Sequence, residues 1–132
     1  MNKVVVRMVD GHMIKGVTTD FFPGKDVFHV SIANAPIGTK PVEINIKNMK
    51  AAFFVKDLAG NPQHIKLNEF DPSHPPVGRR IRVVFKDGEV LVGTTVGYNP
   101  ERSGFFVVPA DAGSNNDRCY VITAATQDIS FI

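Results

Sequence analysis

Short apolar runs, broken every few residues by polar or turn-forming positions, set the pattern of this chain. Val4-Val5-Val6, Val83-Val84-Phe85, Val90-Leu91-Val92 and Phe105-Phe106-Val107-Val108 are examples. They are built from β-branched and aromatic side chains, which fit a pleated, buried surface. No apolar stripe of period 3.6 continues over the roughly 12 residues that a stable helix needs. The pattern therefore predicts an all-β chain.

The runs recur at a fixed offset. Residues 6–18 return as 83–95, a shift of 77, and the register persists without a gap. Pro23 meets Pro100, Phe28 meets Phe105, Val30 meets Val107 and Phe54 meets Phe131, while Phe21 meets Tyr98 and Lys25 meets Arg102. A tandem duplication of two units, 3–55 and 80–132, follows. In each unit an Asp-Gly pair between apolar runs (Asp10-Gly11 and Asp87-Gly88) predicts a type I′ hairpin with positive φ at both central residues. That turn would place Phe85 across from Val90, Val83 across from Val92, and Lys86 across from Glu89. Gly16 and Gly93 fall inside the second strands, where glycine marks a bend or a close backbone approach. Third strands are expected at 27–32 and 105–108, fourth strands at 42–46 and 119–123, and fifth strands at 52–55 and 129–132. A single helical turn is expected at 47–50 and at 124–127.

The predicted organisation is a first small β-barrel at 1–56, a linker at 57–78 and a second small β-barrel at 79–132. Four prolines and two glycines break any regular element in the linker. Units of about 53 residues are near the lower size limit for a stable core. Runs such as Phe53-Phe54-Val55 are apolar on both faces, so the two units are expected to pack on each other, about a pseudo-two-fold axis.

Composition narrows the functional classes. No segment approaches the roughly 20 apolar residues of a membrane-spanning helix, so no membrane role is expected. One cysteine, Cys119, cannot form an internal disulfide, and a cytoplasmic location is expected. The net charge is only +2, but it is unevenly spread. Residues 1–56 hold eight Lys/Arg against four Asp/Glu, residues 57–78 carry a net −2, and residues 79–132 balance.

No catalytic constellation emerges. His12, His29, His64 and His74 are scattered, with no zinc-ligand spacing, so no metal and no cofactor are expected. The sequence context of Cys119 is a buried strand. Asp10, Gly11, Asp87 and Gly88 are accounted for by their turns, and Gly16 and Gly93 by bends. Two features could form an interaction surface. Phe22, Lys47 and Lys50 combine a spare aromatic with local positive charge, as single-stranded nucleic acid requires. Ser114, Asn115 and Asn116 lie in the most polar loop, 112–118.

The order of an apolar strand, Asp-Gly, a second strand with an internal glycine, an aromatic, a short loop and an apolar third strand resembles the first half of an Sm-like small barrel. The duplicated pattern, with Phe-Phe-Val-Lys-Asp-Leu-Ala-Gly-Asn-Pro at 53–62 and Pro-Ala-Asp-Ala-Gly-Ser-Asn-Asn at 109–116, resembles over the full length an uncharacterised bacterial family. Its members occur alone or appended to signalling domains such as PilZ. The resemblance implies a tandem of five-stranded Sm-like or SH3-like barrels. The second Sm motif is missing from 45–50 and 122–127, and no PilZ ligand signature follows Arg79, Arg80 and Arg82. The expected function is a non-enzymatic, cytoplasmic protein- or ligand-interaction module in bacterial signalling or regulation. The expected partner is another protein, with a homodimer as one form. The alternative is an RNA- or DNA-binding module of Sm-like type.

Overall fold

Strand β5 (Met49–Val55) is buried at all seven positions, and the architecture follows from how both its faces are covered. A computed structural model describes residues 2–59, 70, 77–111 and 114–132; most of the linker, with His64 and His74, lies outside them. Before β5 come β1 (Asn2–Met8), β2 (Met13–Thr18), β3 (Val27–Ile32) and β4 (Val42–Asn45). After it come β6 (Arg79–Phe85), β7 (Val90–Thr95), β8 (Gly104–Pro109), β9 (Asn116–Ile122) and β10 (Thr126–Phe131). Three-residue 3-10 turns, Ile46–Asn48 and Thr123–Ala125, lead into β5 and β10, one residue earlier than the sequence pattern suggested.

The chain is all-β, but it does not form two closed barrels. All ten strands join one antiparallel sheet in the order β10-β6-β7-β8-β9-β5-β1-β2-β3-β4, and the sheet does not close. Each half contributes five strands in the same internal order, fifth-first-second-third-fourth. The halves merge because β5 pairs with β1 on one side and with β9 on the other. Nor does the ladder have two-fold character. A two-fold would match the β5–β9 pairing with one between β10 and β4, whereas these two strands are the ends of the sheet.

Two hydrophobic cores lie against the β5–β9 pair, and each strand feeds both. From β5, Met49, Ala52 and Phe54 enter the first core with Val4, Val6, Phe28 and Val30, while Ala51, Phe53 and Val55 enter the second with Ile81, Val83, Phe85 and Val107. From β9, Tyr120 and Ile122 enter the first core, Cys119 and Val121 the second. Successive side chains of a strand point to opposite faces, so an apolar run of this kind makes a wall between two cores. Burying each phenylalanine contributes roughly 1.5–3 kcal/mol.

The hairpins differ by one residue from the expected register. Val83 faces Leu91 and Val84 faces Val90, and Val6 faces Ile14. The Gly88 amide donates to the Phe85 carbonyl at 2.9 Å and the Phe85 amide to the Glu89 carbonyl at 2.8 Å; Gly11, Met8 and His12 repeat the arrangement. Only the glycines, Gly11 (φ 95°) and Gly88 (φ 93°), have positive φ at these turns. This is a three-residue loop in which glycine takes the left-handed position. The aspartates act through their side chains: Asp10 Oδ1 accepts from the His12 amide at 2.9 Å and Asp87 Oδ1 from the Glu89 amide at 3.0 Å. A one-residue slip changes which residues share a face, so Lys86 is not set against Glu89.

Gly16 and Gly93 do mark close approaches. A Cβ on Gly16 would lie 2.1 Å from the Ser31 carbonyl oxygen, and one on Gly93 would lie 2.1 Å from that of Val108. These contacts are with neighbouring backbone, which cannot swing aside as a side chain does. Replacing Gly93 or Gly16 by alanine is expected to cost about 2 kcal/mol or more, as overpacking of a tight site does. Urea unfolding would measure this, and a midpoint equal to that of the unaltered protein would contradict it.

Candidate interaction edges and grooves

Three surface features result from the merged sheet. The first is the pair of sheet ends, β4 and β10, each bonded to a strand on one side only among the described residues. Val42 on β4 is 38% exposed and Phe131 on β10 is 37% exposed; Ile132, just beyond β10, is 60% exposed. The Phe131 ring packs on Tyr98 at 5.5 Å, and the Arg79 guanidinium lies 3.6 Å from its centroid. Near β4, Ile37 stands fully exposed at the tip of the β3–β4 connection.

The second feature is a basic groove of about 650 Å³ between equivalent turns of the two halves. Lys25, Asp26 and Lys47 line it from the first half, with Arg102, Ser103 and Thr123 from the second. The Lys25 ammonium also lies 5.0 Å from the ring of Phe22, which is exposed. Three cations against one acid make this groove attractive to anions. The third feature is a smaller groove of about 290 Å³ with Val5, Phe53, Val55 and Leu91 in its lining and Arg7, Lys15, Asn115 and Asn116 beside them.

These features divide the residues singled out from the sequence. Lys47 lines the basic groove; Phe22 does not line it, but its exposed ring lies against the ammonium of the groove residue Lys25. Lys50 does not join them. It is buried, and its ammonium donates to Asp87 Oδ2 at 2.6 Å and to Glu89 while lying 4.6 Å from the Phe85 ring centroid. Lys50 thus ties the first half's fifth strand to the second half's hairpin. Asn115 is also engaged internally: its side chain accepts from the Asp57 amide at 3.0 Å and donates to the Asp57 carbonyl at 2.8 Å. Ser114 Oγ accepts from the Asn116 amide at 3.1 Å, and Asn116 pairs with Val55 across the β5–β9 ladder. The remainder of that loop, 112–113, lies outside the described residues.

Sequence reasoning missed Lys25 and Arg102 as groove residues. Their correspondence at the 77-residue offset was visible, but their convergence depends on how the halves join. It also missed Arg118, whose guanidinium lies 4.7 Å from the Phe54 ring and 4.8 Å from the Phe106 ring. Among the described residues no group of three His, Cys, Asp or Glu is placed to hold a metal ion. His12 and His29 are exposed and face Asp10 and Asp20.

The Lys50 ammonium and then the Glu89 amide hold the Asp87 carboxyl below the usual carboxylate range. A carboxyl whose pKa is lowered by folding contributes stability that is present above its unfolded value and is lost as pH falls through the folded one. Lys50→Met keeps the buried stem and removes the charge. Its unfolding free energy should therefore fall less steeply than that of the unaltered protein between about pH 5 and about pH 2. Parallel slopes in urea titrations across that window would contradict the assignment.

Neither any curated protein nor any solved structure matches the chain. A family model matches residues 1–132, and the chain belongs to the family described as "Family of unknown function (DUF6982)".

Proposed function

We propose that the chain is a duplicated pair of five-stranded units, 1–56 and 79–132 joined by 57–78, that works as a non-enzymatic protein-interaction module. The observation that carries this reading is the state of the sheet ends. Among the described residues eight strands have partners on both sides, while β4 and β10 each keep one row of backbone groups without a strand partner, beside exposed Val42, Phe131 and Ile132. Such an edge recruits an extended segment through main-chain hydrogen bonds, and the flanking side chains select it. A signalling or regulatory setting is what the resemblance to chains appended to PilZ domains implies.

A second reading is favoured by the basic groove. Lys25, Lys47 and Arg102, with the exposed Phe22 ring against Lys25, suit a single-stranded nucleic acid held by charge and stacking.

Panning a random heptapeptide library on the protein separates the readings. Selected peptides should bind roughly tenfold less tightly to a Val42→Lys, Ile132→Lys variant, since lysine on an edge discourages strand addition. Equal affinity would overturn the edge reading. Anisotropy titration with mixed single-stranded oligonucleotides tests the second reading. Three phosphate contacts predict a slope of about −2 in log K against log salt, lost on Lys47→Glu, Arg102→Glu. A flat baseline at micromolar protein would exclude it.

A further inference from the structure

The internal β5–β9 ladder is a template for what the open edges accept. Shifted by 77, Ala51, Ala52, Phe53 and Phe54 become Asp128, Ile129, Ser130 and Phe131. Shifted back by 77, their partners Val121, Tyr120, Cys119 and Arg118 become Ile44, Glu43, Val42 and Pro41. The first set is paired inside the chain; the second set lies on the two ends of the sheet. Burial changes accordingly. Phe54 is 4% exposed and Val55 7%, against 37% for Phe131 and 60% for Ile132, and Cys119 is 0% exposed against 38% for Val42.

We infer that a second copy of the chain covers these edges, with β10 of one copy pairing antiparallel with β4 of the next in the 77-shifted register. The inference rests on the edge reading above and names its partner. In this register Ser130 faces Val42 and Phe131 faces Pro41, so the exposed apolar residues of both edges collect at one end of the contact. Ile37 belongs to that end. A turn closed by the Thr39 amide on the Pro36 carbonyl at 3.1 Å, with Gly38 at φ 88°, presents it to solvent. The other end is polar, with Asp128, Glu43 and Asn45 where the internal ladder has Ala51, Tyr120 and Ile122. Association is therefore reversible, unlike the internal wall. The contact is heterologous, so each added copy leaves one β4 and one β10 open, and growth closes as a ring or continues as a filament.

Sedimentation velocity of the full chain tests this. The weight-average mass should rise from 14.5 kDa to at least about double between roughly 10 and 500 µM, and Ile132→Lys should suppress the rise. Register is read by placing Val42→Cys and Ser130→Cys in one chain. Facing positions of an antiparallel pair are within disulfide reach, and Cys119 is fully buried. Mild copper-phenanthroline oxidation should give a ladder of dimers, trimers and larger species, absent when Ser130→Cys is combined with Asn45→Cys. A bridge within one chain, a product that stops at the dimer, or a constant 14.5 kDa mass would overturn the inference. If the mass is constant while selected heptapeptides still bind the edges, only the self-pairing fails; if those peptides also ignore the edge substitutions, the edge reading fails with it.

Discussion

The pairing of β5 with β9 is the constraint on which the rest of the structure depends. Each strand is apolar on both faces and must be covered on both. One face of each strand is covered by the core of its own half and the other face by the core of the other half. Placed side by side, the two strands become a wall with one core on each face. Its flanks are tied by contacts between the halves: Lys50 to Asp87 and Glu89, Arg118 over Phe54, and Asn115 to the backbone of Asp57. The cost is that the equivalent strands β4 and β10 are left at the sheet ends.

Much of this was legible in the sequence where local chemistry decides the outcome. The strand positions, the short turns before the fifth strands and the close approaches at Gly16 and Gly93 all follow from side chains acting on their own neighbourhood. The runs that are apolar on both faces also announced that something beyond a single unit must cover them. What was not legible depended on alternatives of similar local energy. Asp-Gly fits a two-residue loop, but here glycine alone takes positive φ and aspartate caps through its carboxylate, which moves the register by one residue. Both fifth strands pair with the first strand of their own half, and whether the second edge of such a strand also pairs with the other half is likewise not encoded in its pattern. For the same reason Lys50 reads as a surface cation until its partners on the other half's hairpin are known. Arg102 reads as an isolated turn residue until it converges with Lys25 and Lys47.

The two candidate surfaces follow from the same junction. The basic groove forms where the turns preceding β3 and β8 meet the two 3-10 turns, so its charges depend on the halves being held side by side. The edges exist because a ladder of this directionality, once begun inside the chain, leaves its complement unused at each end. A closed pair of barrels would present neither feature in this form. The functional reading is thus a reading of the junction rather than of either half.

Native-state hydrogen exchange tests the junction most directly. Backbone amides that open only with global unfolding mark the most stable unit of a fold. The bonded amides of Ala51–Phe54 in β5 and of Arg118–Val121 in β9 should exchange together, at the global unfolding free energy and with the same denaturant dependence. Exchange of β9 with the second half in one opening, and of β5 with the first half in another, would show two independent units and contradict the single sheet.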